Sequence, residues 1–353
     1  MALRISFPPT SKVRTGETLT EATVDTRSRM PRMAPVDEPA ALLDRMLGGD
    51  RRALARLLSL AESEPARFDP IADRVAAAAH ARAGKTLRVG ITGPGGAGKS
   101  SLIDAWIKVA RARQETVAVL ATDPSSERSG GALLGDRVRL AQEAPDDGVY
   151  FRSVATRGAA GGLAHTGFDQ ADLLDAFGFD WLLVEAVGAG QGEIEVSFAC
   201  DVTVVVFAPG GGDAVQALKA GLMEVGDLFC VNKADLPGAD AAAATLRSVV
   251  ELAPARGAAQ PAPVVLVSAT TGSGVAELPA RVRALGQEKI ASGEAERRRR
   301  ARLERRVRHL LQRDFERRLR DDATLARLRA ETPAAASGGP RRIAAEIAAR
   351  LLR

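Results

Sequence analysis

Apolar residues recur along the chain at two spacings, and the changes between them mark its elements. Short β-branched runs at 86–92, 116–122, 149–154, 181–186, 202–208, 228–232 and 264–268 predict buried strands. Helical spacing separates most of them, at 99–112, 169–178, 214–224, 240–252 and 275–285. This alternation predicts an α/β fold, a mostly parallel sheet with helices on both faces, over residues 86–286. Ligands of such sheets sit at the carboxyl ends of the strands.

The flanks read differently. Residues 1–35 have little periodicity and are rich in Thr, Ser, Pro and Arg, the pattern of a disordered segment. Residues 36–85 carry three short helical stripes, broken by Gly48-Gly49 and by Pro65 and Pro70, expected to pack behind the α/β unit. From 287 to 332 the chain becomes a charged helix opened by Arg297-Arg298-Arg299-Arg300. Leu303, Val307, Leu310, Leu311, Phe315 and Leu319 form one apolar stripe, with charges of both signs, Glu304 and Arg308 among them, on the other face. That pattern fits a solvated helix lying on its own domain or a dimerisation arm. A linker and a last short helix, with Ile343, Ile347 and Leu351 on one face, fill residues 333–353.

Composition narrows the function classes. The chain has 353 residues, 46% hydrophobic, enough for one large domain with helical additions. Lys and Arg number 49 against 44 Asp and Glu, a formal net charge of +5, but aromatics are only 4%. Stacking platforms are therefore scarce, and no nucleic-acid partner is expected. Cys200 and Cys230 are far apart in apolar stretches, which reads as buried thiols in a reducing compartment. His80, His165 and His309 are scattered and make no metal site. No apolar run approaches the roughly 18 residues of a membrane span. A cytoplasmic location is expected, or a mitochondrial matrix if residues 1–35 are a transit peptide.

The chemistry concentrates at strand ends. Gly93-Pro94-Gly95-Gly96-Ala97-Gly98-Lys99-Ser100 joins a buried strand to a helix and matches G-x-x-x-x-G-K-[ST]. The glycines let backbone N–H groups turn toward phosphate oxygens, and the helix N-terminus, with Ser101 in its first turn, adds partial positive charge. Lys99 can reach the β- and γ-phosphates, and the Ser100 hydroxyl can bind Mg²⁺. Asn232-Lys233-Ala234-Asp235 follows another strand as N-K-x-D. The Asp235 carboxylate accepts from the guanine ring N–H and amine, a donor pair adenine lacks. Two charged hydrogen bonds at about 1.5–3 kcal/mol each give roughly 10²–10⁴ preference for GTP over ATP. Ser268-Ala269-Thr270, at a further strand end, fits a loop whose backbone amide meets guanine O6. Asp123 and Glu185 end two more strands, placed to serve Mg²⁺ directly or through water. Gly188 can present its N–H to the γ-phosphate. In many GTPases a Gln follows that glycine and orients the attacking water; here Ala189 stands there and Gln191 comes two residues later, so slow intrinsic hydrolysis is expected.

With these motifs laid out, the chain resembles the methylmalonyl-CoA mutase-associated GTPase family, the MeaB/ArgK group, from about 40 to 330. The resemblance includes Asp123-Pro124-Ser125-Ser126 through Gly135-Asp136-Arg137, Arg157-Gly158 through Leu163, Val184 through Gln191, and Pro209-Gly210-Gly211-Gly212-Asp213. It implies a GTPase chaperone for an adenosylcobalamin-dependent acyl-CoA mutase, homodimeric through C-terminal helical arms, gating cofactor loading and protecting the mutase. It implies that Asp123, Asp136 and Glu185 neighbour Mg²⁺, and that loop 210–220, with Asp213, Gln216 and Lys219, is a third switch that meets the mutase. The chain departs from the family's usual residues at Ala186, Gly192 and Ala220, which leaves open a mutase other than the methylmalonyl-CoA enzyme. A metallochaperone GTPase needs Cys or His ligands near the switches, which are scarce here. A nucleotide-dependent kinase is the other alternative, and Asp235 counts against an ordinary ATP kinase.

Overall fold

The computed structural model describes residues 38–123, 146–155, 165–186, 191–210, 221–252 and 261–320. Three helices come first, α1 (Pro39–Leu47), α2 (Arg51–Ser63) and α3 (Pro65–Ala81). Asp50 caps α2, its carboxylate accepting from the N–H groups of Arg52 and Ala53. The α/β unit follows as β1 (Leu87–Thr92), α4 (Lys99–Ala112), β2 (Val117–Asp123), β3 (Val149–Ala155), α5 (His165–Phe177), β4 (Trp181–Glu185), α6 (Gln191–Ala199), β5 (Val202–Phe207), β6 (Leu228–Val231), α7 (Ala239–Leu252), β7 (Val264–Leu266) and α8 (Leu278–Ala291). A 27-residue helix, α9 (Glu294–Arg320), ends the described chain.

The seven strands form one sheet in the order β3-β2-β4-β1-β5-β6-β7, every pair parallel. All seven predicted strands are present, within two residues at each end. The predicted helix at 169–178 starts earlier, at His165, and the one at 275–285 runs from Leu278 to Ala291. The residue 286 boundary therefore falls inside α8, where Gly286 lies so close to Leu87 that a Cβ would sit 2.8 Å from its Cδ1. Of the predicted helix 214–224, residues 214–220 lie outside the described ones; Leu222–Glu224 is one 3₁₀ turn.

Alternation along each strand divides the core. Ala118, Leu120, Leu182 and Val184 face α1–α3, α5 and α6. Val89, Ile91, Val117, Val119, Leu183, Val202 and Val204 face α4 and α8 on the other side. There Trp106 meets Trp181 edge to face, with ring centroids 5.3 Å apart. The N-terminal helices thus cover one face of the sheet toward its β3 side, beside α5.

The orientation of α9 differs from the expectation of a solvated charged face. Arg298, Arg302, Arg306 and Arg313 face the body of the protein, whereas Arg297, Arg300, Arg308, Arg317 and Arg318 are exposed. Arg298 forms a bidentate pair with Asp227, both contacts at 2.7 Å, and Arg302 donates to Asp201 at 2.8 Å. Arg306 bonds Asp169 and Asp172, and Arg313 reaches Asp69 at 3.1 and 3.2 Å. Leu303, Val307 and Leu311 point outward, 62%, 47% and 67% exposed. Arginine suits the inward face because each planar fork can meet a carboxylate while its stem covers apolar surface.

Candidate nucleotide-binding site

The strand order brings the predicted motifs to one edge of the sheet. The phosphate loop leaves β1; Glu185 ends the neighbouring β4, in register with Ile91. On the other side, Asn232 follows β6 and Ser268 follows β7.

The loop's shape requires glycine at two positions. Gly93 has φ +136° and lies so near β5 that a Cβ would sit 2.1 Å from the Val206 carbonyl oxygen. Gly98 has φ +86°, and a Cβ there would sit 2.5 Å from Asn232 Nδ2. Gly95 and Gly96 have no atoms within 4 Å of an added Cβ, so space beside the loop is open at these two positions. Lys99, first residue of α4, lies along the loop, donating to the carbonyls of Gly93 at 2.7 Å and Pro94 at 3.1 Å. Ala97 is buried beneath the turn, whereas Ser100 and Ser101 in the first turn of α4 are exposed.

Ser100 and Glu185 meet directly: the hydroxyl donates to Glu185 Oε1 at 2.6 Å. Glu185 is 5% exposed, which confines its carboxylate to the space beside the loop. This pair offers hard oxygens only, the donor chemistry that fits Mg²⁺. Among the described residues no group of three or more His, Cys, Asp or Glu could hold a metal ion. Mg²⁺ needs no such cage, because phosphate oxygens and waters fill most of its shell. Asp123 closes β2, two strands from the loop. Asp136, Gly188 and Lys219 lie outside the described residues.

The N-K-x-D strand end is tied to the phosphate loop through Asn232. Its amide nitrogen donates to the carbonyls of Ala97 at 3.0 Å and Gly98 at 3.2 Å, and its oxygen accepts from the Ala269 N–H at 3.1 Å. One buried side chain therefore joins the phosphate loop, β6 and the loop after β7. Lys233 adopts a left-handed φ of +57°, turning the chain so that Asp235 comes back toward that loop. Ser268 donates to Asp235 Oδ1 at 2.5 Å and accepts from the Thr271 N–H at 3.1 Å. Thr270 is exposed beside them. The sequence reading placed Ser268 near the base but missed its grip on Asp235. The two residues are 33 positions apart, so only the pairing of β6 with β7 brings them together.

A phosphate loop and an N-K-x-D strand end held on one edge of a parallel sheet define a P-loop GTPase. Comparison with known proteins narrows the class. Residues 54–324 match the family described as Methylmalonyl Co-A mutase-associated GTPase MeaB, and the chain belongs to that family. A Pyrococcus horikoshii protein, named as a candidate GTPase, is 41% identical over 281 residues, covering 79% of this chain and 86% of that one. The methylmalonic aciduria type A homolog of Mus musculus, named as mitochondrial, is 34% identical over 275 residues, covering 73% of this chain and 66% of that one. A crystal structure described as LAO/AO transport system kinase superposes with a TM-score of 0.65 at 25% identity, covering 91% of this chain and all of that one.

Proposed function

We propose that this protein is a GTP-hydrolysing switch that serves an adenosylcobalamin-dependent acyl-CoA mutase, gating cofactor loading and protecting the enzyme. The observation that carries the client is membership of a family described as associated with methylmalonyl Co-A mutase. A homologue named for methylmalonic aciduria supports the same client. GTP as substrate is supported by the Asn232 bridge and by Ser268 orienting Asp235.

In this reading the N–H groups of Gly95, Gly96, Ala97 and Gly98 cradle the phosphates, and Lys99 leaves the Gly93 and Pro94 carbonyls for the β- and γ-phosphate oxygens. Mg²⁺, when bound, neutralises charge developing between those phosphates. Ser100 and Glu185 hold it, with Asp123 and Asp136 as acidic neighbours. Gly188 senses the γ-phosphate. The loop 210–220, through Lys219, meets the mutase and completes the hydrolytic site, so turnover is slow alone and faster with the partner. Two copies pair through α9, where Leu303, Val307 and Leu311 are exposed. The kinase reading takes its support from the name of the structural relative; guanine selection by Asp235 favours a switch over an ATP kinase.

The test is the affinity of the purified cognate mutase for this protein, loaded with GDP or with a non-hydrolysable GTP analogue. A switch requires the two affinities to differ, because a ligand shifts an equilibrium only by its differential binding. Equal affinities, or no binding in either state, overturn the proposal.

A further inference from the structure

Helix α9 is seated on the sheet by charge. Asp201 and Asp227 each stand one residue before a strand, β5 and β6. Asp201 accepts the Arg88 N–H at 3.1 Å, and its own N–H donates to the Arg88 carbonyl at 2.8 Å. Asp227 makes the same pair of bonds with Thr203, at 2.8 and 2.9 Å. These ties to the strands leave both carboxylates within reach of α9. Arg302 donates to Asp201 Oδ1 at 2.8 Å, and Arg298 takes both oxygens of Asp227. Beneath α9, helix α6 lies on β1: at Gly90 a Cβ would sit 3.0 Å from Val196 Cγ1 and 3.3 Å from Cys200 Sγ. The Arg305 guanidinium lies 3.6 Å from the centre of the Phe198 ring of α6.

Apolar packing adds little to this seat. Among the described residues of α9 only Ala295 is buried. Leu310 and Phe315 are half-buried, His309 meets Phe168 edge to face, and Leu303, Val307 and Leu311 point to solvent. A cavity of about 250 Å³ lies under the helix, walled by Ala76 and Ala79 of α3, Phe168 of α5, and Arg302 and Arg306 of α9. A gap of this kind forfeits dispersion contacts on both sides. The ion pairs are themselves nearly dry, Asp201 and Arg302 being 15% and 13% exposed at the side chain. Arg302 Nε is buried with no hydrogen-bond partner among the described residues. Desolvation cancels much of the attraction in such pairs, so the seat is weak for a helix of this length.

The link to α8 is a hinge. Ser292 and Gly293 alone separate the two helices, and Gly293 has φ +71°. Glycine crosses between backbone regions at small cost, and a few such residues absorb the turn of a whole element. Charge closes the hinge as well: Lys289 meets Asp227 at 2.8 Å on one side of the link and Glu294 at 2.5 Å on the other.

We infer that α9 is a charge-latched element, which leaves the sheet as one unit by turning at Gly293 while the α/β unit stays folded. The latch is the two pairs Arg298–Asp227 and Arg302–Asp201. Hydrogen exchange read by mass spectrometry tests it on the full chain, at one protein concentration, for wild type, Arg302→Ala and the exposed-face control Arg308→Ala. Peptides of α9 are expected to exchange at least about tenfold faster than those of β1 and β5, because an undocked helix is marginal in water. Raising NaCl from about 0.1 M to about 1 M cuts the Debye length from about 10 Å to about 3 Å and should speed α9 further while the strands stay unchanged. Arg302→Ala leaves Asp201 without its α9 partner and should speed α9 at least about tenfold, whereas Arg308→Ala should match wild type. Exchange of α9 that is no faster than that of the strands, that salt leaves unchanged, or that Arg302→Ala leaves unchanged overturns the inference. So does equal speeding by Arg308→Ala. Loss of protection in β1 and β5 together with α9, on adding salt or in Arg302→Ala, overturns it too, because helix and sheet would then open as one unit.

Discussion

In the proposed reading, Asp235 is the residue on which base selection turns, and Ser268 is what aims it. With one carboxylate oxygen held by the Ser268 hydroxyl at 2.5 Å, the group is fixed before guanine arrives. Asp235→Asn replaces an acceptor with an amide that can also donate, so preference should move from guanosine toward xanthosine nucleotides. Calorimetric titration of the variant with GDP and xanthosine diphosphate checks this; unchanged preference for GDP contradicts it. Ser268→Ala leaves the carboxylate in place but unaimed. A net loss of about 1 kcal/mol, the usual worth of one hydrogen bond, lowers GDP affinity about fivefold. The buried thiols give an independent check on the fold. Burial pushes the Cys200 thiol up to about 12, so at pH 8 it is protonated in the native state. Cys200 and Cys230 should therefore resist alkylation until the chain is unfolded. Rapid native-state labelling at pH 8 would show that α6 does not seat on β1 as described.

At the scale of elements, most of the sheet was legible in the sequence because a buried parallel strand carries its own signature. Val202–Phe207 reads as a continuous β-branched and apolar run, and every residue in it is buried. The loop after β1 was equally readable, because Gly93 and Gly98 occupy conformations in which a side chain would meet Val206 or Asn232. What the sequence concealed was which face of α9 turns inward. Amphipathic reasoning sends the leucines to the core and the charges to water. Here Arg298, Arg302 and Arg306, four residues apart, meet Asp227, Asp201, and the pair Asp169 and Asp172. The i, i+4, i+8 arginine spacing was visible, but its partners come from segments 71 to 137 positions away. A helix docked by its charged face leaves Leu303, Val307 and Leu311 for a partner. The account predicts a dimer at micromolar concentration, reduced to a monomer by Val307→Asp with Leu311→Asp. Light scattering decides this, and a monomeric wild type contradicts the dimer arm. A truncation meant to remove α9 belongs after Gly293, because a cut at Gly286 would sever α8.

At the scale of the whole molecule, the nucleotide site and the arm lie toward opposite ends of β1. One end of that strand becomes the phosphate loop, and the other, at Arg88, is bonded to Asp201 and through it to α9. Buried Arg88 also pairs with Asp172 and Asp175, so the root of the central strand is fixed by charge as well as by the apolar packing of Leu87 and Val89. In the proposed switch, the segments taken to respond to nucleotide are the Gly188 stretch and the loop 210–220. The central claim is that a mutase client engages those segments and speeds hydrolysis. A cation or water-orienting group completing a GTPase site is worth roughly 10³–10⁵ in rate, so even a partial contribution is measurable. The most direct test is steady-state phosphate release from GTP with and without the cognate mutase, for wild type and Lys219→Ala. The account predicts slow release alone, stimulation of wild type by the mutase, and a smaller stimulation of Lys219→Ala at unchanged GTP affinity. No stimulation of wild type, together with mutase binding that ignores the nucleotide, would contradict it.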